Sequence, residues 1–222
     1  MVTTEVKKSL AEGVYEAVRE KILRQDIPCG ARIPVDRLAE ELGVSRTPIS
    51  NALVRLSTEG IVNLYPHRYA EVVSFSDQDV RDLGLTRIAV DTLAVQLAIQ
   101  NGSNADFDTL AEVARACLEV ARQGDVFNWI RLECEFHLGL ARIGRSQNLI
   151  RIMEDLYLKI RLLQFVHYRN NEISLQMIEL HFDLLEQLKK RNVSGALVLI
   201  HRHLGYFYDI DPTSLTSVIV DF

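Results

Sequence analysis

The chain has 222 residues, of which 48% are hydrophobic and 25% are charged, and this balance is typical of a folded globular protein rather than a disordered one. No stretch approaches eighteen consecutive apolar residues, so we expect no transmembrane helix and no membrane association. The charged N-terminal segment lacks the apolar run of a secretory signal. The three widely spaced cysteines do not suit a disulfide framework. Together these features predict a cytoplasmic protein with reduced thiols.

The net charge of −5 is unevenly distributed. Residues 1–72 contain ten basic and ten acidic side chains, which leaves fifteen basic and twenty acidic side chains in the remainder. A neutral N-terminal part repels phosphate less than an acidic one would, but it is not a basic patch. Charge alone therefore does not predict a nucleic-acid partner.

The N-terminal third has the pattern of three short helices and a β-hairpin. Apolar residues recur at helical spacing, and Pro-Gly or Gly turns end the first two helices. Ser45 is a candidate N-cap for the third helix, with Pro48 in its first turn. Two short strands then surround a turn at Pro66-His67-Arg68. The predicted bounds are 8–25, 35–42 and 45–60 for the helices and 61–65 and 69–73 for the strands. This order is that of a winged helix-turn-helix.

The remainder of the chain has no clear strand signal. Helical patterns are separated by short polar or glycine-containing breaks, such as Asn170-Asn171, which predicts an antiparallel six-helix bundle. Residues 211–222 form a tail that is either ordered or frayed. The fold class is therefore mostly α, with a winged helix-turn-helix domain at 1–75 and a helical domain at 76–222. The predicted bundle helices are 77–101, 104–123, 125–144, 147–168, 172–191 and 193–209.

The run from Leu38 to Pro48, LAEELGVSRTP, with Ala52-Leu53-x-Arg55-Leu56 after it, resembles the GntR family of bacterial transcription regulators. In such a fold the recognition helix enters the major groove with its N-terminal residues on base edges and phosphates. Arg46 can form a bidentate pair with guanine, and the hydroxyls and amides of the helix start can bind phosphate. Arg55 lies further along the helix and suits a structural or a phosphate contact. The resemblance implies DNA contacts by Ser45, Arg46, Thr47, Ser50, His67 and Arg68.

Three positions depart from the pattern of that family. Ser50 stands where a basic residue normally faces DNA, and Tyr69 stands where the wing usually has a glycine. Asp36 adds a negative charge where some members have an arginine. These differences predict weaker operator binding or an altered operator sequence.

The bundle helices carry polar residues on otherwise apolar faces. Glu133 and His137 lie one turn apart, and His181 and His203 lie on the predicted inner faces of the fifth and sixth bundle helices. One inward histidine is usually a hydrogen-bonded core residue. Four such groups, however, make a metal site about equally plausible, because a buried carboxylate must be paired, protonated or metal-bound. Imidazole with carboxylate suits Zn²⁺ or Ni²⁺. The inner face of the sixth helix is predicted to hold Ala196, Leu199, Ile200, His203, Tyr206 and Phe207, and to exclude His201.

Glu133-x3-His137, followed by His181 and His203, resembles the FCD domain of the FadR/VanR branch of GntR regulators. Arg87 with Asp91 is similar to an Arg-x3-Glu pattern of that domain. The resemblance implies a metal held by Glu133, His137, His181 and His203, and a small organic acid bound by the metal and Arg87. It also implies a homodimer that binds a near-palindromic operator of double-stranded DNA.

Three functions are compatible with these features. The first is a metal-containing, effector-responsive transcription regulator, which is not an enzyme. The second is a ligand-binding or interaction module whose winged helix has lost operator recognition, as Ser50 and Tyr69 suggest. The third is a helical metalloenzyme. It lacks an additional general base, a nucleophile motif and a phosphate loop, and Cys134 suits the core better than a nucleophile.

Overall fold

The computed structural model describes residues 9–168 and 175–210. The chain forms two units, a winged-helix unit that ends at Ser74 and a helical unit that begins at Phe75. The first unit contains α1 (Leu10–Leu23), α2 (Val35–Leu42), α3 (Arg46–Thr58), β1 (Val62–Tyr65) and β2 (Tyr69–Val72). The described part of the second contains α4 (Asp77–Asn101), α5 (Asn104–Arg122), α6 (Val126–Ile143), α7 (Gln147–Tyr168), α8 (Leu175–Lys189) and α9 (Val193–Tyr208). The predicted fold class, a winged helix-turn-helix followed by a helical bundle, is confirmed.

Most predicted boundaries agree with the observed elements within two residues. Differences of two residues occur at the C-terminal ends of α1, α3 and α8; α1 ends at Leu23, because Gln25 adopts a positive φ of 61°. Gly43 ends α2 in the left-handed conformation, as predicted, and Ser45 occupies the N-cap of α3 without a side-chain capping bond. The predictions for Lys8, for residues 172–174, for the break at Asn170-Asn171 and for the tail 211–222 lie outside the described residues.

A polar network fixes α1 against α3 in the winged-helix unit. The Tyr15 hydroxyl contacts both carboxylate oxygens of Glu59, at 2.7 and 2.8 Å. The Arg55 guanidinium lies 3.5 Å from the Tyr15 ring centroid and pairs with Glu12 and Glu59. Of the two roles predicted for Arg55, the structural one matches these contacts.

Tyr15→Phe is expected to destabilise the winged-helix unit by about 1.5–3 kcal/mol, the usual contribution of a hydrogen bond to a charged group. Differential scanning calorimetry measures this loss. The chain has one tryptophan, Trp129 in α6, so its fluorescence identifies the transition of the helical unit. An unchanged winged-helix transition would mean that the Tyr15–Glu59 contact contributes nothing to stability.

The same contact predicts a dependence on pH. Burial and the hydrogen bond to Glu59 raise the pKa of Tyr15 from 10.0 to about 12. The folded state therefore holds this proton more tightly than the unfolded state. The contribution is complete below pH 10 and is lost as the pH rises to about 12. Tyr15→Phe should remove this dependence.

The wing is a two-stranded antiparallel hairpin in which Val62 pairs with Val72 and Tyr65 with Tyr69. Its turn is closed by a hydrogen bond from the Arg68 amide to the Tyr65 carbonyl (3.0 Å), and His67 has a positive φ of 57°. One contact was not predicted: Arg32 forms an isolated antiparallel bridge with Glu71. A single-residue bridge leaves no run of alternating residues that sequence periodicity could detect.

In the helical unit, α4 packs against α6, α7, α8 and α9. Its N-terminus is a capping box in which Ser76 and Asp79 bond each other's backbone amides. Because the helix is surrounded, its polar residues Arg87, Asp91 and Thr92 are buried. No helix among the described residues is long and apolar enough to cross a membrane.

The predicted inner face of α9 is partly wrong. Tyr206 is 57% exposed, and Tyr208 is buried instead. Both His201 and His203 are buried, because α9 is covered by α4 on one side and by α8 on another. As predicted, the two histidines do not meet: His201 Nε2 lies 2.8 Å from Thr92 Oγ1 in α4.

Candidate metal centre and DNA interface

Four buried side chains meet between α6, α8 and α9. They form what we call the tetrad, Glu133, His137, His181 and His203, and each offers one ligand atom within 4.8 Å of the others. These are the four residues for which the sequence predicts a metal site. Helical spacing aligns Glu133 and His137 on α6, and the packing of α8 and α9 adds the other two.

Hydrogen bonds define which nitrogen His137 and His203 present to the centre of the tetrad. His203 Nδ1 lies 2.8 Å from the Met177 carbonyl, which can only accept, so Nδ1 carries the proton. His137 Nδ1 lies 2.8 Å from Asp91 Oδ1 and donates to that carboxylate. In the neutral rings of His137 and His203, Nε2 is therefore unprotonated and carries a lone pair. The two Nε2 atoms lie 3.3 Å apart. Neutral imidazole nitrogens oriented by an outer carboxylate or carbonyl are the usual arrangement of metal ligands.

The distances within the tetrad suit a small ion. Glu133 Oε1 lies 2.8 Å from His203 Nε2 and 3.2 Å from His137 Nε2. His181 Nε2 lies 3.4 Å from Glu133 Oε2. Tetrahedral Zn²⁺ with bonds of about 2.0–2.1 Å places its ligand atoms about 3.3–3.4 Å apart.

His181 supplies an independent test of the fit. Its ring stacks on Phe136 with centroids 4.0 Å apart, yet neither ring nitrogen has a hydrogen-bond partner among the described residues. A buried polar atom without a partner is costly. A metal ion at the tetrad would satisfy Nε2 of His181, so the residues present fit such an ion.

The charges of the buried region also favour a cation. Arg87 faces two carboxylates, Asp91 at 3.7 Å and Glu133 at 3.6 Å. Burial raises the pKa of Glu133, but the attraction of the facing His181 and His203 imidazoles, and the hydrogen bonds that His137 and His203 donate when they are protonated, outweigh burial and hold the pKa well below its usual range. Burial lowers the pKa of His181 well below its usual range. An ionised carboxylate and a neutral imidazole are the forms that bind metals.

Behind the tetrad, a hydrogen-bonded chain joins three helices. Arg87 Nε donates to the Tyr157 hydroxyl (3.1 Å), which donates to Asp91 Oδ2 (2.5 Å), while Asp91 Oδ1 accepts from His137. The sequence singled out Asp91 only as the partner of Arg87, and it did not predict the role of Tyr157. Neither residue belongs to a sequence pattern that would reveal its role, because the Tyr157–Asp91 hydrogen bond depends on how α4, α6 and α7 pack.

Arg87, predicted to face an effector, is 1% exposed. Its Nη2 has no hydrogen-bond partner among the described residues, and Arg87 borders a cavity beside the tetrad. The cavity offers about 20 Å³ to the centre of a water molecule, which is room for about one water. Its wall includes Arg87, Trp129, Glu133, Gln164, Tyr168, His203, Tyr206 and Phe207. An organic acid can enter only if some of these side chains move.

Cys134, judged from the sequence to be a core residue, is buried. Burial raises the pKa of its thiol to about 12. The thiol therefore remains protonated at neutral pH and is a poor nucleophile.

The predicted DNA contacts form two groups on the winged-helix unit. The start of α3 exposes Ser45, Arg46, Thr47 and Ser50, and the wing turn exposes His67 and Arg68. Arg46 forms an ion pair with Asp36 of α2. Exposed side chains at a helix N-terminus suit phosphate and base contacts.

Tyr69 and Arg32 form an additional contact on the wing, in which Arg32 is exposed and Tyr69 is half-buried. The Tyr69 ring lies beside the Tyr65 ring at a tilt of 35°, with centroids 4.5 Å apart, and the Arg32 guanidinium lies 4.1 Å from the Tyr69 centroid. The sequence did not predict a role for Arg32 at the wing. Its place beside the wing depends on the bridge to Glu71.

Comparison with known families gives two matches. The FCD domain family matches residues 82–206, and the family described as bacterial regulatory proteins, gntR family, matches residues 10–71. The first match covers more than half of the chain and includes every residue of the tetrad.

Named relatives extend over most of the chain. The Nta operon transcriptional regulator of Aminobacter aminovorans is 27% identical over 195 residues, which are 85% of this chain and 90% of the relative. The HTH-type transcriptional regulator McbR of Escherichia coli (strain K12) is 26% identical over 171 residues, 75% of this chain and 76% of the relative. The solved structure of E. coli McbR/YncC has a TM-score of 0.79 at 23% identity and covers 91% of this chain and 96% of its own. That likeness shows a shared fold.

Proposed function

Since the chain belongs to the gntR family of bacterial regulatory proteins and contains an FCD domain of the FadR/VanR type, we propose that it couples the occupancy of a buried metal centre to operator binding. The protein is a DNA-binding transcription regulator. Its named relatives are transcription regulators, which favours regulation over catalysis.

The observation that carries the metal proposal is the tetrad. Glu133, His137, His181 and His203 would hold a divalent transition ion, with Zn²⁺ or Ni²⁺ suited to this ligand set. Such an ion supplies positive charge and a coordination position for an anionic oxygen. Asp91 orients His137, and the Met177 carbonyl orients His203.

The proposed effector is a small organic acid. Its carboxylate would meet the metal and Nη2 of Arg87, which has no hydrogen-bond partner among the described residues and lies 3.6 Å from Glu133. Because the cavity has room for about one water, binding would require side chains at its wall to move, and Tyr206 is the most exposed of them at 57%. A ligand can shift a conformational equilibrium only through unequal affinity for the two states. Displacement of the aromatic rings at the cavity wall would give the two states different affinities for the acid.

The proposed DNA partner is a near-palindromic operator bound by a homodimer. Ser45 and Thr47 would contact phosphate, Arg46 would read a guanine, and Ser50 would lie beside them on α3. His67 and Arg68 would follow the backbone or the minor groove from the wing.

Arg46→Ala is expected to weaken operator binding by about 1–3 kcal/mol and to relax the sequence preference at one base pair. Ser57→Ala, in the last turn of the same helix, serves as the control. Titration of labelled duplexes that vary at each position measures both effects. Unchanged sequence preference in the Arg46 variant would remove Arg46 from the base-reading role.

Selection from a random duplex library, followed by titration at several salt concentrations, tests the function as a whole. An enriched palindrome bound far more tightly than random DNA supports an operator-binding regulator. Equal affinity for every sequence, with only a salt dependence, would instead indicate a module in which Ser50 and Tyr69 have removed base recognition.

A further inference from the structure

The ion pair between Asp36 and Arg46 joins the first turn of α2 to the first residue of α3. Both side chains remain exposed, 70% for Asp36 and 72% for Arg46. An exposed pair of this kind contributes little to stability. Its effect is therefore on where the guanidinium of Arg46 points.

Arg46 is the cation of α3 that is available to contact a base. This helix contains two arginines, and Arg55 is occupied by Glu12, Glu59 and the Tyr15 ring. Position 50, one turn after Arg46, is a serine. Any direct reading of a base by an α3 cation therefore depends on Arg46.

The geometry of the pair leaves the base-reading edge of Arg46 available. The carboxylate of Asp36 contacts Nε of Arg46. The two terminal nitrogens, Nη1 and Nη2, can then form the bidentate pair with O6 and N7 of a guanine. The negative charge of Asp36 also repels phosphate oxygens, which disfavours the alternative in which Arg46 binds the DNA backbone.

We propose that Asp36 is a positioning residue for DNA recognition: it holds Arg46 so that its terminal nitrogens read a guanine and keeps the guanidinium from binding phosphate. This inference rests on the proposed function, in which Arg46 contacts a base. It assigns to an acidic side chain on α2 a part of the sequence selectivity that arises on α3.

The test compares Asp36→Asn with Glu40→Gln. Glu40 is an exposed acidic residue of α2, so each variant removes one negative charge from the same helix. Both should bind random DNA more tightly than the wild type because phosphate repulsion falls, and Asp36→Asn more so, because it also frees Arg46 to bind phosphate. Asp36→Asn alone should lower the preference for guanine at the position read by Arg46, by about 10-fold.

The measurement is titration of the selected operator and of its variants at each position, for the wild type, both charge variants and Arg46→Ala. Loss of preference at the same single base pair in Asp36→Asn and Arg46→Ala supports the inference. A merely structural effect of Asp36→Asn would weaken binding equally at all positions, and that result would overturn it. Tighter operator binding with full preference for guanine would make Asp36 a competitor for Arg46 and would also overturn it.

The proposed function and the inference fail in distinguishable ways. If the wild type selects no sequence, operator recognition itself is refuted, and the role of Asp36 is refuted with it. If the wild type selects an operator and Arg46→Ala relaxes one position that Asp36→Asn leaves intact, only the role of Asp36 is refuted.

Discussion

Replacing His181 with alanine is expected to lower the affinity for Zn²⁺ by more than about 100-fold, because the loss of an outer-shell partner alone typically costs about 10–100-fold. The His181 ring has no hydrogen-bond partner among the described residues, so the substitution removes a ligand without disrupting a hydrogen-bond network. Competition with a chromophoric chelator, on protein purified without a metal-affinity tag, measures the change. Zn²⁺ at about 100 times the wild-type dissociation constant should stabilise the wild type by about 2.7 kcal/mol and the variant by less than about 0.5 kcal/mol.

His201→Ala is the matched control for this experiment. It removes a buried histidine of α9 that contacts Thr92 and lies outside the tetrad. Its affinity for Zn²⁺ should equal that of the wild type. Equal affinities in all three proteins, or less than one equivalent bound by the wild type under saturating Zn²⁺, would contradict the assignment of the tetrad as a metal site.

Asp91→Ala is expected to destabilise the helical unit by about 3–5 kcal/mol, the usual cost of removing one partner from a buried ion pair. Asp91 accepts hydrogen bonds from His137 and Tyr157 and lies 3.7 Å from Arg87. Its loss would leave two donors and one buried positive charge with less compensation. Urea denaturation of the metal-free protein, followed by Trp129 fluorescence, measures the stability of this unit.

Asp82→Ala provides the comparison on the same helix. Asp82 accepts a hydrogen bond from Gln78 at the exposed surface of α4, and its variant should unfold at nearly the urea concentration of the wild type. If Asp91→Ala also did so, the buried chain from Arg87 to His137 would be unimportant for stability. Asp91→Asn, which preserves the shape of the side chain, should weaken Zn²⁺ binding by about 10–100-fold.

The order of the elements and the inward-facing positions of the four tetrad residues could be predicted because each follows from local patterns. The 3.6-residue period places Glu133 beside His137 and turns His201 away from His203. Gly43 and the turn at Pro66 have strong conformational preferences of their own. These features require no knowledge of which helices meet.

The remaining features depend on packing between distant segments. Asp91 reaches His137 only because α4 lies against α6, and the exposure of Tyr206 follows from the way α9 is covered by α4 and α8. The sequence showed that Asp36 brings a negative charge near the recognition helix, but not that it pairs with Arg46. Arg32 joins the wing through one bridge, which is too short to leave a pattern.

The assembly of the tetrad from three helices has a consequence for protein synthesis. Glu133 and His137 emerge from the ribosome well before His203, and at about 5–20 residues per second the 66 residues from His137 to His203 take about 3–13 s to be made. During this interval the nascent chain can present two ligands on α6, then a third from α8, without the fourth. Under the proposed function, full-strength metal capture would be confined to the period after α9 has been translated and has docked.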